Sequence, residues 1–203
     1  MDLLIKKSGK NNFFTTEYLT REAFWNLYKS GCDEHLVLHQ LRESGCYVSD
    51  LDLVGILEGE IIGHIISSMA RVIDQQNKEH EVLCVGPISV SPPYQNKGIG
   101  TQLMNYSITE ATKLGFKGMI LFGNPEYYHR FGFRNAKEFE ITTKDSLNFE
   151  PFMALELGDK GLMNVTGRFF EDEAFEIKEE QLIEFEKKFP PKEKGKPKID
   201  INI

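Results

Sequence analysis

The feature that most constrains the fold is a strand, a glycine-containing loop, a helix and a second strand in close succession. An apolar run over residues 82–90 is followed by the loop 95–100, by helical spacing of apolar residues over 101–114, and by a short apolar run over 119–122. Two strands joined through a helix in one sheet run parallel. The loop therefore lies at the carboxyl end of the first strand, where sheets of this kind bind ligands.

The segments around this unit predict a mixed sheet. Two runs rich in Val and Ile, residues 51–57 and 61–73, are separated by a short turn at Gly59 and predict an antiparallel hairpin. Gly86 and Pro87 interrupt the next apolar run. Because proline removes a donor from the hydrogen-bond ladder, the sheet is expected to bulge or split at this point. A further strand is expected over residues 152–157.

Helices are expected on either side of these strands. Thr20 precedes an apolar set, Phe24, Trp25, Leu27 and Tyr28, and predicts an N-capped helix that ends near Gly31. A second helix is predicted over residues 33–43 and a terminal helix over 178–188. Residues 190–198 are rich in Pro and Lys and are expected to form a mobile tail.

Charge and cysteine content narrow the function classes. The 24 basic and 31 acidic side chains give a net charge of -7, which disfavours a surface devoted to nucleic acid or anionic lipid. No apolar stretch approaches the length of a membrane span. The three cysteines are odd in number and widely spaced, which favours neither a disulfide framework nor a zinc site. We expect a cytoplasmic protein that binds no metal.

The loop itself predicts a site for an anion. Gly98 and Gly100 precede a helix, so several backbone N–H groups and the helix dipole can be directed at one phosphate, with Lys97 as a nearby cation. The loop lacks Gly-Lys-Ser/Thr and lacks the third glycine of a dinucleotide fingerprint. Tight packing between strand and helix is the alternative explanation of the two glycines.

The sequence resembles the GNAT superfamily of acetyltransferases over roughly residues 15 to 157. Gln95, Gly98 and Gly100 match every specified position of its signature, and Tyr128, Gly132 and Phe133 resemble its Tyr-x-x-x-Gly-Phe segment. The resemblance implies an α/β fold in which a mostly antiparallel sheet splays between two central parallel strands, with helices on both faces. It assigns residues 1–158 to the acetyltransferase domain and 159–203 to a C-terminal extension.

The resemblance also implies acetyl-coenzyme A as the acyl donor. The backbone of Ile88, Ser89 and Val90 would bind its thioester and pantetheine, and the loop residues would hold its pyrophosphate. Further side chains would line the cofactor from the other side. The residues so assigned to the loop are Gln95, Asn96, Lys97, Gly98, Ile99, Gly100 and Thr101, and those of the other side are Asn124, Tyr127 and Phe131.

Transfer of acetyl to an amine requires a base for the amine and an acid for the departing thiolate. Tyr128 matches the usual acid of the family, although a packing role in the core would also explain it. Some members carry an acidic base four positions before the thioester-binding residue, but here that position is Cys84. Glu34 is preferred as the base. His35, His64, Glu81 and loss of the proton to water are the other options.

Two hypotheses about the function are consistent with the sequence. The chain is either a transferase that moves acetyl directly to the amine of a small molecule or peptide, or a coenzyme A-binding sensor or interaction module without catalysis. The missing strand carboxylate favours the second reading, and the complete loop with Tyr128 favours the first. A homodimer is a common arrangement for such proteins.

Overall fold

A computed structural model describes residues 2–199 and consists of one curved sheet with helices on both faces. The strands of the described part are β1 (Leu4–Lys7), β2 (Tyr47–Leu57), β3 (Glu60–Ile73), β4 (Glu79–Val90), β5 (Gly118–Phe122), β6 (Arg134–Asn135), β7 (Ile141–Thr143), β8 (Phe152–Glu156) and β9 (Gly167–Phe170). The α-helices are α1 (Phe13–Phe24), α2 (Glu34–Glu43), α3 (Ile99–Lys113), α4 (Pro125–Tyr128) and α5 (Glu179–Glu186).

The strand order is β1-β2-β3-β4-β5-β8-β6, with β9 beside β3 and β7 beside β9. The pairs β4–β5 and β7–β9 are parallel, and the remaining pairs are antiparallel. The helix α3 links β4 to β5, which is the crossover that the sequence predicts. The predicted mixed sheet and its hairpin are therefore confirmed.

Successive residues of β3 show how the two faces of the sheet are covered, because side chains alternate along a strand. Ile65 belongs to the core beneath α3, together with Leu103. Ile66, the next residue, packs against Leu38 and Leu41 of α2 on the opposite face. Gly63 allows α3 to approach closely, since an added Cβ would lie 2.8 Å from Leu103 Cδ1.

The prediction of the first helix is wrong in its bounds. The helix α1 covers Phe13–Phe24, and Thr20 lies inside it as a buried residue. The Thr20 hydroxyl lies 2.9 Å from the hydroxyl of Ser89 on β4, so it is engaged in a contact between distant parts of the chain and cannot cap a helix. Trp25 and Tyr28 consequently lie in the connection between α1 and α2 rather than in a helix.

The C-terminal extension packs on the outer side of α1 and α2. Arg21 of α1 is buried and forms a bidentate ion pair with Glu186 of α5, with nitrogen to oxygen distances of 2.8 to 3.1 Å. Phe189 stacks on Phe14 at a centroid distance of 5.3 Å. The division at residue 158 stays a prediction, as does the mobility of the tail, whose residues 190–199 lie against the end of α1.

Candidate active site

The two central parallel strands separate soon after they meet. Pairing between β4 and β5 is limited to Leu83 with Met119 and Cys84 with Ile120. The register of β3 against β4 shifts between Ile65 and Ser67, next to Gly86 and Pro87. The edge of β4 from residue 85 to residue 90 thus lacks a partner strand on the β5 side, and its outward backbone groups, apart from the Val90 carbonyl that accepts from the Gln95 side chain, can pair with a ligand. The splay predicted from Gly86 and Pro87 is present.

A cradle of unpaired amides follows directly after β4. Asn96 and Gly98 have positive φ values of 60° and 80°, and Gly98 is the N-cap of α3. The first amide of this helix that donates to a backbone carbonyl is that of Gln102, to Gly98 at 3.1 Å. Within the described chain, the amides of residues 96–101 donate to no protein acceptor. Such an array at a helix N-terminus suits a phosphate group.

Gly100 lies under the side chain of Tyr127. A Cβ at Gly100 would approach the Tyr127 phenol oxygen to 2.7 Å, and would lie 3.9 Å from Ile88 Cδ1. Burial raises the pKa of this phenol, while a hydrogen bond with Thr101 opposes the rise. The structure therefore brings Tyr127, Ile88, Gly100 and Thr101 together, as the sequence-based assignment requires.

Tyr128 is a partly buried phenol next to Tyr127, with 5.0 Å between the two ring centroids. Burial raises its pKa well above the ordinary value of 10, and the neighbouring Tyr127 and Tyr28 raise it further. The ring packs against Phe133 at a centroid distance of 5.7 Å, and Gly123 leaves space for it, because a Cβ there would lie 2.2 Å from Tyr128 Cε2. The phenol is held as a neutral proton donor at any physiological pH.

The other residues predicted to bind the cofactor lie on β4, in the loop that follows it, and around α4. The Asn124 carboxamide caps α4 by accepting the amide of Glu126 at 3.0 Å. The Phe131 ring lies 5.4 Å from that of Tyr127. The Ser89 hydroxyl is engaged by Thr20, and Ser89 lies opposite His64 in the ladder between β3 and β4. The side-chain amide of Gln95 donates to the Val90 carbonyl at 3.1 Å and fixes the start of the loop.

Glu34 lies in the first turn of α2. Burial is the main cause that raises the pKa of its carboxyl to about 7, and the charge of Asp33 acts in the same direction. Its Oε2 accepts the backbone amide of Asp33 at 3.1 Å. The nearby Lys29 forms its ion pair with Asp33, and its charge opposes the rise in the pKa of Glu34. A carboxyl that titrates near neutral pH suits a general base.

The histidines considered as bases belong to buried networks. His64 Nε2 lies 2.7 Å from Asp52 Oδ1, and Arg42 binds the same carboxylate at 2.9 Å. Burial lowers the pKa of His35 to about 4, against the opposing charge of Glu186. Both rings are fully buried; His64 contacts Arg42 of α2 from the sheet, whereas His35 packs α2 against Phe185 of α5.

Two further residues, neither of which was assigned a site role from the sequence, interact electrostatically with Glu34 and with Cys84. Tyr28, in the α1–α2 connection, lies close enough to Glu34 for that carboxylate to raise its pKa, after the larger effect of burial. Glu171 follows β9, and its charge raises the pKa of the Cys84 thiol, which burial already raises strongly. The pKa of Glu171 is itself raised, mainly by burial. Neither contact has a local sequence signal, because both depend on packing between distant segments.

The fold and the opening define an acetyltransferase. Residues 13–133 match the model of the acetyltransferase (GNAT) family. Since this match spans more than half of the chain, the chain belongs to that family. The finding confirms the predicted family, fold class and enzyme class.

Individual relatives and solved structures are similar to this chain over most of its length. An uncharacterized N-acetyltransferase of Escherichia coli K12, YhbS, is 27% identical over 140 residues, which are 69% of this chain and 81% of the relative. The crystal structure of Escherichia coli YhbS in complex with coenzyme A superposes with a TM-score of 0.76 at 25% identity, covering 86% of this chain and 92% of the other. A GNAT family acetyltransferase of Brucella melitensis in complex with acetyl-coenzyme A gives 0.70 at 25% identity, covering 86% and 98%. These findings agree with the prediction of acetyl-coenzyme A as the donor.

Proposed function

We propose that the protein transfers the acetyl group of acetyl-coenzyme A directly to an amine of a small molecule or peptide. The observation that carries this proposal is a pair of unpaired backbone stretches, one along the edge of β4 after Cys84 and the other formed by the amides of residues 96–101. Its two parts match the two ends of the donor. The strand edge suits the amides of pantetheine, and the amide cradle suits the pyrophosphate.

The residues assigned to the donor act mainly through their backbone. The amides of residues 96–101 and the dipole of α3 supply partial positive charge to the phosphates. The backbone of Ile88, Ser89 and Val90 pairs with the pantetheine arm, and Lys97 adds a flexible cation at the mouth. Asn124, Tyr127 and Phe131 line the opposite wall. When bound, the donor supplies an acyl group activated as a thioester.

Two side chains act as general base and general acid in this proposal. Glu34 accepts a proton from the amine, because with a pKa of about 7 it is largely ionised at slightly alkaline pH and still basic enough to take a proton. Tyr128 gives a proton to the departing thiolate, since burial keeps its phenol protonated. The amine gains one carbon–nitrogen bond as the thioester carbon–sulfur bond breaks.

Cys84 is unsuited to carry the acetyl group covalently. Its thiol is fully buried, and burial and the charge of Glu171 raise its pKa well above the ordinary value of 9. A thiol that stays protonated is a poor nucleophile. Direct transfer between two bound substrates is therefore the mechanism that we propose.

The chemical class of the acceptor is proposed from the charge of the protein. The net charge of -7 and the Glu34 carboxylate favour a cationic amine. We also propose a cytoplasmic location, in keeping with three free cysteines, and a homodimer as the assembly to test. No helix among residues 2–199 is long and apolar enough to cross a membrane.

Calorimetric titration with acetyl-coenzyme A and with coenzyme A is the first test. We expect saturable binding of about one ligand per chain, and loss of binding when Gly100 is replaced by leucine, whose side chain would collide with Tyr127. Release of free thiol in the presence of benzylamine or spermidine then tests transfer. Binding without transfer to any amine would identify a coenzyme A sensor instead of an enzyme.

A further inference from the structure

The connection between α1 and α2 lies beside the proposed proton-transfer groups. It covers residues 25–33 and carries Tyr28, whose side chain is 41% exposed. Glu34 begins α2 directly after this connection, and the ion pair of Lys29 with Asp33, the N-cap of α2, joins the two. The charge of Glu34 adds to the effect of burial on the pKa of Tyr28, and Tyr28 in turn adds to the rise in the pKa of Tyr128. An amine approaching Glu34 would therefore pass the connection that carries Tyr28.

Few bonds within this connection hold it in place. Asn26 and Gly31 have positive φ values of 55° and 79°. The Asn26 amide donates to the Gly31 carbonyl at 2.8 Å, and the Gly31 amide donates back to Asn26 Oδ1 at 2.8 Å. The carbonyls of Asn26 and Leu27 take no part in these two hydrogen bonds and accept from another part of the chain.

The last described residues of the chain donate to these carbonyls. The Lys198 amide donates to the Asn26 carbonyl at 2.9 Å and to the Leu27 carbonyl at 3.2 Å, and the Ile199 amide donates to Leu27 at 2.9 Å. The Gly195 amide donates to Asn26 Oδ1 at 3.0 Å. The peptide groups on the N-terminal side of Tyr28 are thus fixed by a segment that lies about 170 positions later in the sequence.

Trp25 anchors the same segment at the end of α1. Its indole N–H donates to the Glu193 carbonyl at 2.9 Å, and the ring is only 5% exposed. Lys192 lies over the ring at 5.5 Å and forms an ion pair with Glu22 at 2.6 Å. Arg21 also donates to the Pro190 carbonyl at 3.2 Å. The segment is therefore attached along most of its length.

We propose that Gly195, Lys198 and Ile199 are a working part of the acceptor site, because their backbone amides fix the α1–α2 connection in the position that presents Tyr28 and Glu34 to the amine. The inference rests on the proposed function. Lys198 and Gly195 are positioning residues that act through their backbone amides. Tyr28 is the side chain through which their effect reaches the acceptor.

Lys198→Pro tests the proposal, because proline lacks the amide hydrogen that Lys198 donates to two carbonyls. Lys196→Pro is the matched control, since within the described chain the Lys196 amide donates to no acceptor. Trp25 is the single tryptophan of the chain, so quenching of its fluorescence by acrylamide reports release of the segment. A chain that ends at Pro190 gives the same perturbation in a stronger form.

Steady-state kinetics use the faster of benzylamine and spermidine with the wild-type protein. For Lys198→Pro we expect stronger quenching of Trp25, a rise in KM for the amine of about tenfold, and a Kd for acetyl-coenzyme A within about twofold of wild type. Tyr28→Ala should raise the amine KM to a similar extent, and Lys196→Pro should behave as wild type.

Two results would overturn the inference while leaving the transferase intact. One is an unchanged amine KM when Trp25 quenching shows that the segment is released. The other is a weakening of acetyl-coenzyme A binding by the same factor as the amine KM, which would indicate a general structural role. If the wild-type protein acetylates neither amine, the proposed function fails, and this inference falls with it.

Discussion

Replacing Glu34 by glutamine is expected to stabilise the protein at alkaline pH. Burial raises the pKa of this carboxyl from 4.5 to about 7, so the folded state retains a proton over a pH range in which the unfolded state has lost it. The free energy of unfolding therefore falls as the pH rises through this range, and the whole loss is present above the folded pKa. At about 1.4 kcal/mol per pKa unit, the change from 4.5 to about 7 costs about 3 kcal/mol.

Glutamine escapes this cost because it does not ionise, and its side-chain oxygen can still accept the Asp33 amide. Urea titration of both proteins gives the free energy of unfolding. We expect nearly equal values at about pH 4.5 and an advantage of about 2 to 3 kcal/mol for Glu34→Gln at about pH 8. Glu43→Gln, at the other end of α2, is the control because its carboxylate is 73% exposed. A difference between Glu34→Gln and wild type that is constant with pH would refute the assignment of a raised pKa.

The remaining predictions concern binding and turnover. The ratio of kcat/KM between wild type and Glu34→Gln should rise about tenfold from about pH 6 to about pH 8, and a flat ratio would exclude Glu34 as the base. Tyr128→Phe should lower kcat about 100-fold with the Kd for acetyl-coenzyme A retained, and an unchanged kcat would remove the acid role. Gly100→Ala should weaken acetyl-coenzyme A binding by about 1 to 3 kcal/mol in calorimetry, because the new methyl group meets the phenol oxygen of Tyr127. Adding Tyr127→Phe to the same chain removes that oxygen and should restore binding. Glu171→Gln should change kcat/KM by less than about twofold, whereas a fall as large as that of Glu34→Gln would move the base role to Glu171.

Local rules account for the part of the site that the sequence predicts well. Gly98 adopts the left-handed conformation at the N-cap of α3, as expected for a glycine that ends a phosphate loop. Gly86 and Pro87 mark the place where β4 leaves β5, because a proline cannot continue a central ladder. In both cases the backbone preference of one or two residues determines the geometry. The signal is therefore present in a short stretch of sequence.

Contacts between distant segments account for the part that the sequence predicts poorly. Thr20 has the residue type of an N-cap, but its contact with Ser89 places it in the middle of α1. Arg21 would be expected at the surface, yet Glu186 allows its burial. The peptide groups that precede Tyr28 accept hydrogen bonds from Lys198 and Ile199, at the far end of the described chain. Propensity and periodicity contain no information about partners of this kind.

The absence of a carboxylate at Cys84 changes where the proton of the amine can go. The buried thiol cannot accept it, because burial keeps that thiol protonated and weakly basic. Glu34 and Glu171 are carboxyls whose pKa is raised by burial, and each has one lysine whose charge acts in the opposite direction. Both lysines are paired with another carboxylate, Lys29 with Asp33 and Lys144 with Glu176. In the proposed reaction an incoming ammonium would pair with Glu34, so the carboxylate that attracts the acceptor would also take its proton. We therefore expect amine binding and amine deprotonation to be lost together in Glu34→Gln.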